Sequence, residues 1–224
     1  MMLLAIDTSA SLCAASVYDA AADRELARAV EDIGKGHAER LMAVMDDALN
    51  KAGNTYRDID RIAVAIGPGS FTGIRVGVAT ARGLALALKV PAVGINNLEA
   101  VAFEARPQHQ QRNILSAFAS SLGAIQLAIY DPSGAVIHAP ETTTAEHAAQ
   151  LAVAHQAVVI GSAAPVISTL NPAIETGETN ATADIAIYAR LASSRPVGDK
   201  PKPLYLREPD AKPQAGFRVS RAAS

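Results

Sequence analysis

The heptapeptide Gly67-Pro68-Gly69-Ser70-Phe71-Thr72-Gly73 constrains the chain more than any other stretch. Ahead of it, residues 62–66 form a short apolar run, the pattern of a buried strand. Behind it, the chain runs to residue 88 without Pro or Asp and is rich in Ala and Leu, the composition of a helix. Strand, glycine turn and helix in succession aim backbone N–H groups and a helix N-terminus at one spot, which is how proteins cradle phosphates. This loop has no Gly-Lys-Ser/Thr ending and no lysine to reach a phosphate. A structural joint is therefore favoured over nucleotide hydrolysis. The residues that would mark a remnant phosphate or nucleotide site are Gly67, Gly69 and Gly73. Asp7, Thr8 and Ser9, at the end of an earlier apolar strand, join them.

The rest of the chain repeats this construction. Strands are expected at 2–7, 12–18 and 25–31, and a helix at 37–52, where Leu41, Met42, Met45, Ala48, Leu49 and Ala52 recur at helical spacing. After the central strand, loop and helix come a strand at 90–95 and a helix from Asn97, a plausible N-cap, to about residue 104. The second half offers strands at 113–119, 124–130 and 135–139, the last two joined by the turn Asp131-Pro132-Ser133-Gly134. A helix at 144–154, a strand at 157–160, a helix at 164–170, a strand at 173–175 and a helix at 183–193 follow. A short strand at 204–207 closes the series. The order strand-strand-strand-helix-strand-helix thus occurs twice, more briefly the second time. Periodicity alone reads as α/β with an internal duplication; two such copies facing one another across a cleft would be the plan of actin-like ATPases and sugar kinases, a fold that periodicity alone does not name. It divides into lobes at 1–105 and 106–198 and a proline-rich basic tail at 199–224.

Charge and cysteine narrow the function. The net charge of −2 does not advertise nucleic-acid binding. It is unevenly spread: residues 199–224 hold six Lys or Arg against three acids, leaving the remainder at −5. The single cysteine, Cys13, excludes an internal disulfide and a cysteine metal cluster, and its apolar setting suits an inert core thiol. No secretory leader and no apolar run approaching membrane length is read, so a cytoplasmic protein without membrane contact is expected. His37, His109, His138, His147 and His155 show no metal-ligand spacing, so no metal and no catalytic residue is assigned. His37 reads as a helix cap or a surface residue. Two stripes present themselves for a partner or a second copy: Leu41, Met45 and Leu49 with His37 on the first helix, and Gly73, Val76, Gly77, Thr80 and Leu84 on the second. Close packing on the chain's own sheet competes with that reading.

Four segments carry a resemblance. They are Leu3-Leu4-Ala5-Ile6-Asp7-Thr8-Ser9, the helix start His37-Ala38-Glu39-Arg40-Leu41, the loop and helix from Gly67 to Gly77, and Val93-Gly94-Ile95-Asn96-Asn97-Leu98-Glu99-Ala100. Together they resemble the bacterial TsaB (YeaZ) family of tRNA threonylcarbamoyladenosine biosynthesis proteins. The second half matches mainly by length and by Tyr205-Leu206-Arg207, and Ala119-Ser120-Ser121-Leu122 departs from the family pattern. The resemblance implies an actin-like (ASKHA, ribonuclease H-like) fold with a reduced second lobe and no catalysis of its own. It implies pairing with the catalytic paralogue TsaD, work with the ATPase TsaE, and contact with tRNA only through that complex. In isolation a homodimer is implied. Threonylcarbamoyl would pass to N6 of adenosine 37 in tRNAs reading ANN codons, with ATP or ADP admitted only at a shared interface. The catalytic relative carries a metal-binding His-x-x-x-His where this sequence has Asn97 and Val101, a weak ligand and a non-ligand. The competing expectation is a small-molecule kinase or ATPase built around Asp7, Thr8 and the glycine loop.

Overall fold

Two β-sheets of unequal size, each with helices against it, form the computed structural model, which describes residues 1–120 and 123–206. The first sheet holds β1 (Met2–Asp7), β2 (Leu12–Asp19), β3 (Arg24–Asp32), β4 (Arg61–Ala65) and β5 (Ala92–Ile95) in the order β3-β2-β1-β4-β5. β1 to β3 pair antiparallel, and β4 and β5 add in parallel. Buried on both faces, β1 reads as a continuous apolar run rather than an alternating one. The second sheet has β6 (Ile114–Ala119), β7 (Ile125–Tyr130), β8 (Val136–Thr143) and β9 (Val158–Ile160), ordered β8-β7-β6-β9. Its connectivity copies the first sheet without a fifth strand. The strand expected at 173–175 is reduced to one bridge, Val159 to Thr176.

Three cores result. One face of the first sheet packs against α1 (His37–Ala52) and α2 (Phe71–Leu88) through Leu4, Ile6, Leu41, Met45, Ile62 and Val64. Its other face packs against α3 (Asn97–Ala105) and α6 (Ile185–Ser194) in a core that continues into the second sheet through Ile114, Tyr130 and Ile160. The third core lies between the second sheet and α4 (Ala145–Ala154) with α5 (Ala164–Leu170). The lobes therefore exchange helices. α6 falls within the 106–198 segment but seals the first sheet, and Arg61 holds its end by donating to the carbonyls of Ala192 and Arg195, at 2.6 and 2.8 Å. α3 falls within 1–105 but packs against the second sheet as well. The boundary read at residue 105 separates sheets, not packed units.

Three local expectations change. Asn96, not Asn97, caps α3, its side chain accepting from Leu98 N. Residues 204–206 form no strand. They make an extended strap, in which Leu204 N donates to Ile66 O on the first lobe and Leu206 O accepts from Thr142 on β8. α2, an 18-residue helix, is long and apolar enough by length and composition to cross a membrane, contrary to the expectation of no such run. Its buried side packs on β4 and on α1. The segment 119–122 in part and the tail from 207 onward lie outside the described residues.

Candidate functional site: a closed glycine joint and an open helix face

The six residues read as a remnant phosphate site converge, but they bind one another. Asp7, Thr8 and Ser9 are each 2% exposed at the turn after β1. Asp7 Oδ1 accepts from the Ser9 amide at 2.8 Å and from the Ser9 hydroxyl at 2.6 Å. Asp7 Oδ2 accepts from Thr182 Oγ1 at 2.5 Å, and Thr182 in turn lies 2.7 Å from the Tyr188 hydroxyl on α6. Burial, followed by the nearby Asp7 charge, pushes the Tyr188 hydroxyl well above its ordinary range, so it remains a donor to Thr182. Both Asp7 oxygens are thus committed to protons of the protein rather than to a hydrated cation.

The glycine loop closes onto the same turn. The Ser70 amide, a group that would face a phosphate, donates to the Ser9 carbonyl at 2.7 Å. Ser70 Oγ caps α2 by accepting from Gly73 N at 3.3 Å. Thr8 Oγ1 donates to Gly73 O at 2.7 Å, seated in the notch left by Gly73 and Gly77. A Cβ on Gly73 would stand 1.9 Å from the Thr8 carbonyl oxygen, one on Gly77 2.6 Å from Thr8 Oγ1, and one on Gly69 2.4 Å from the Ser9 carbonyl oxygen. Gly67 has φ of 102°, a conformation that favours glycine. Gly69, Gly73 and Gly77 thus allow the close approach of the two loops.

Asn97 ties the joint to α3. Fully buried, it donates from Nδ2 to Ser9 Oγ at 2.6 Å and to the Pro68 carbonyl at 3.0 Å, while its amide donates to Gly67 O at 2.8 Å. One side chain thus links the β1 turn, the glycine loop and the first turn of α3. Val101, one turn on, lies in the apolar core. Among the described residues no group of three His, Cys, Asp or Glu side chains is arranged to hold a metal ion. Cys13 is buried, and burial is the main cause that pushes its thiol up to about 11, as suits an inert core residue.

The partner stripes separate into inner and outer residues. Leu41, Met45 and Leu49 lie in the core between α1 and the first sheet, so they are unavailable as a surface. His37 is also internal. Gly36 holds the cap position before it, and His37 Nε2 sits 3.2 Å from the Leu12 carbonyl. Gly73 and Gly77 face Thr8. The three that retain exposure are Val76, Thr80 and Leu84, each half-buried on α2. The structure adds neighbours the spacing missed: Ala79, Gly83, Leu86 and Ala87 are exposed on the same helix, Leu86 by 79%. At the helix start an exposed cluster joins them. Arg75 stacks 4.0 Å over the Phe71 ring and donates to the Tyr205 hydroxyl at 3.0 Å. Exposed apolar and small residues thus run along one side of this helix. An inward count of the helix periodicity was the signal that would have found it.

Comparison with known proteins follows these lines. Residues 31–120 match the TsaD family, tRNA N6-adenosine threonylcarbamoyltransferase. The chain is 32% identical over 144 residues to the tRNA threonylcarbamoyladenosine biosynthesis protein TsaB of Escherichia coli, covering 63% of this chain and 61% of that protein. It is 32% identical over 130 residues to the Bacillus subtilis TsaB, covering 58% and 55%. The match thus spans roughly three fifths of the relatives' length. A tRNA N6-adenosine threonylcarbamoyltransferase of Protochlamydia amoebophila is 45% identical over 75 residues, covering 34% of this chain and 22% of that one. Among solved structures, a Pseudomonas aeruginosa protein described as similar to peptidase YeaZ superposes with a TM-score of 0.79, at 24% identity over 92% of this chain and 99% of that chain. YeaZ from the same organism superposes at 0.72, with 24% identity over 85% and 90%. The fold is thus that of YeaZ, two lobes whose sheets share one connectivity.

Proposed function

From a chain homologous to the TsaB proteins and folded like YeaZ, we propose the non-catalytic, scaffolding subunit of the assembly that makes threonylcarbamoyladenosine in tRNA. The observation that carries this reading is the closed joint. Where a catalytic member of the family presents a metal-binding histidine, this chain has Asn97, and Asn97 bonds the β1 turn to the glycine loop. In this site the Asp7 carboxylate, the Thr8 and Ser9 hydroxyls and the Ser70 amide are engaged in bonds within the protein. What is left to offer a reaction is surface, and α2 offers it.

In this reading α2 docks the catalytic paralogue TsaD through Val76, Ala79, Thr80, Gly83, Leu84 and Leu86, and in isolation the same face pairs two copies. TsaE and tRNA engage the assembly, not this chain alone. The protein works in the cytoplasm, and the apolar character of α2 is accounted for by a protein partner rather than a lipid one. A nucleotide enters only at the shared interface.

Depletion of the chain followed by mass analysis of tRNA nucleosides tests the reading. Loss of threonylcarbamoyladenosine is expected, and unchanged levels would sink it. Leu86→Glu on the purified chain is expected to abolish association with the paralogue while leaving the fold intact. Turnover of ATP by the isolated chain, lost in Asp7→Ala, would instead restore the kinase or ATPase reading.

A further inference from the structure

Between Asp60 and Glu99 the chain carries no acid. α2 lies in that stretch, and its charges are all positive: Arg75, Arg82 and, at the C-cap, Lys89. The three follow one another every seven residues, so they line up along one side of the helix. Ala79 and Leu86 stand four residues beyond Arg75 and Arg82, beside them on that side. All five are exposed. Lys89 has a local reason to be basic, since a cation suits the carbonyl end of a helix. Arg75 rests on the uncharged rings of Phe71 and Tyr205. Arg82 has neither reason.

This basic stripe ends at a groove. A cavity of about 570 Å³ opens between the C-terminal half of α2 and residues 197–201. Its apolar wall includes Leu86, Val90 and Val197, and its cations are Arg82, Lys89 and Lys200. Among the described residues no Asp or Glu lines it, and Asp199, next to Lys200 in the chain, is exposed outside the lining. Nor does any of the three cations pair with a carboxylate among the described residues. Three unanswered cations stand out on lobes whose net charge outside the tail is negative. A concave site of this size, with an apolar wall and a few charges of one sign, selects a ligand of matching shape and opposite sign.

We propose that this groove, with the stripe leading to it, takes an acidic segment of the protein that docks on α2, an extended stretch in which carboxylates flank an apolar side chain. The inference rests on α2 as the docking face for the catalytic paralogue and adds the chemistry that the paralogue must bring. The apolar side chain enters beside Leu86, Val90 and Val197, and the carboxylates meet Arg82 and Lys200. A second copy of this chain supplies that chemistry poorly. Two α2 helices meeting across a two-fold axis bring like stripes together, and like charges set opposite one another weaken the pairing. Of the acids on α1, Asp47 pairs with Lys51 at 2.7 Å and Asp46 accepts from the Tyr56 hydroxyl at 2.7 Å, which leaves Glu39. A nucleic acid is the other polyanion, and the apolar wall suits a peptide better than a phosphate backbone.

The full chain is titrated with the purified paralogue by calorimetry, from about 50 mM to about 500 mM salt. Wild-type affinity is expected to fall as salt rises. Arg82→Glu combined with Lys200→Glu, at two exposed positions where folding is not at stake, should weaken binding at least about 10-fold and flatten the salt dependence. Self-association, followed by sedimentation, should strengthen with salt and in the same double variant. Ala79→Trp, on α2 outside the groove, separates this inference from the reading it rests on. Loss of binding in Ala79→Trp with none in the double variant overturns the acidic segment and keeps α2 as the docking face. Full binding by both sinks the acidic segment and the docking face together. Self-association weakened as much as binding of the paralogue would make a second copy the occupant and overturn the proposal. A double variant that binds the paralogue like wild type but loses affinity for tRNA would also overturn it, since the groove then serves nucleic acid.

Discussion

The two lobes build the same joint with different residues. In the first, the turn after β1 is gripped by a loop whose Gly69 and Gly73 leave no room for a Cβ. In the second, the end of β6 meets the loop after β9. Ala163 N donates to Ala117 O at 3.1 Å, Ala119 N donates to Ser162 Oγ at 3.1 Å, and a Cβ on Gly161 would stand 2.4 Å from Ala117 O. There is no glycine heptapeptide in the second copy, yet the contact is made. The helix that follows is 18 residues long in the first lobe and 7 in the second. Close approach of these two loops is therefore a demand of the fold, since the first strand ends where the fourth strand turns into its helix. In the first lobe the Asp7 carboxylate, the Thr8 and Ser9 hydroxyls and the Ser70 amide are all engaged in bonds within the protein.

The largest expected effect falls on the first joint. Gly73→Val places branched carbon against the Thr8 carbonyl and should cost more than about 4 kcal/mol or prevent folding, read by urea denaturation. Gly134→Ala, in the β7–β8 turn with φ of 86° and open space around it, should cost only about 1–2 kcal/mol. Equal losses would mean that the first joint is no tighter than a surface turn. Next in size is the contrast between inner and outer helix residues. Leu41→Ala should lose about 2–5 kcal/mol by opening a cavity. Leu86→Ala should stay within about 0.5 kcal/mol while weakening partner association, measured by calorimetry against the paralogue. A stable Leu41→Ala chain with impaired pairing would return that stripe to the interface.

Asn97→Ala removes the cross-link and leaves Ser9 Oγ and Pro68 O with one partner fewer, for an expected loss of about 1–3 kcal/mol. The smallest effect is a pH dependence at the meeting of the lobes. Glu104 accepts from Asp184 N at 3.1 Å, and burial is the first cause that raises its carboxyl above the usual value. A carboxyl with a raised folded value binds its proton more tightly when folded. Its contribution is therefore fully present below the unfolded value and is lost as pH rises through the folded one. Glu104→Gln should flatten the fall in melting temperature over that window. A wild-type curve that rises there would reverse the assignment.

Much of this was legible in sequence, and the parts that were not share a cause. The elements up to residue 105 follow from apolar runs, glycine punctuation and helical spacing, and the observed boundaries lie close to them. The six residues of the joint were identified together, because Asp-Thr-Ser and Gly-Pro-Gly are local patterns. Inner and outer faces of α1 and α2 were not separated. A stripe of Leu41, Met45 and Leu49 reads alike whether it meets a sheet or a partner, and only the position of β1 and β4 behind it decides.

The sequence by itself determined the duplicated α/β plan and the glycine loop at its centre, because these are matters of residue type and spacing. The tertiary structure alone decided that the loop is shut, that α6 crosses to seal the first sheet, and that the exposed side of α2 is the one with Leu86. Each of those depends on which groups lie across a gap from one another, and that is settled by packing between segments far apart in the chain.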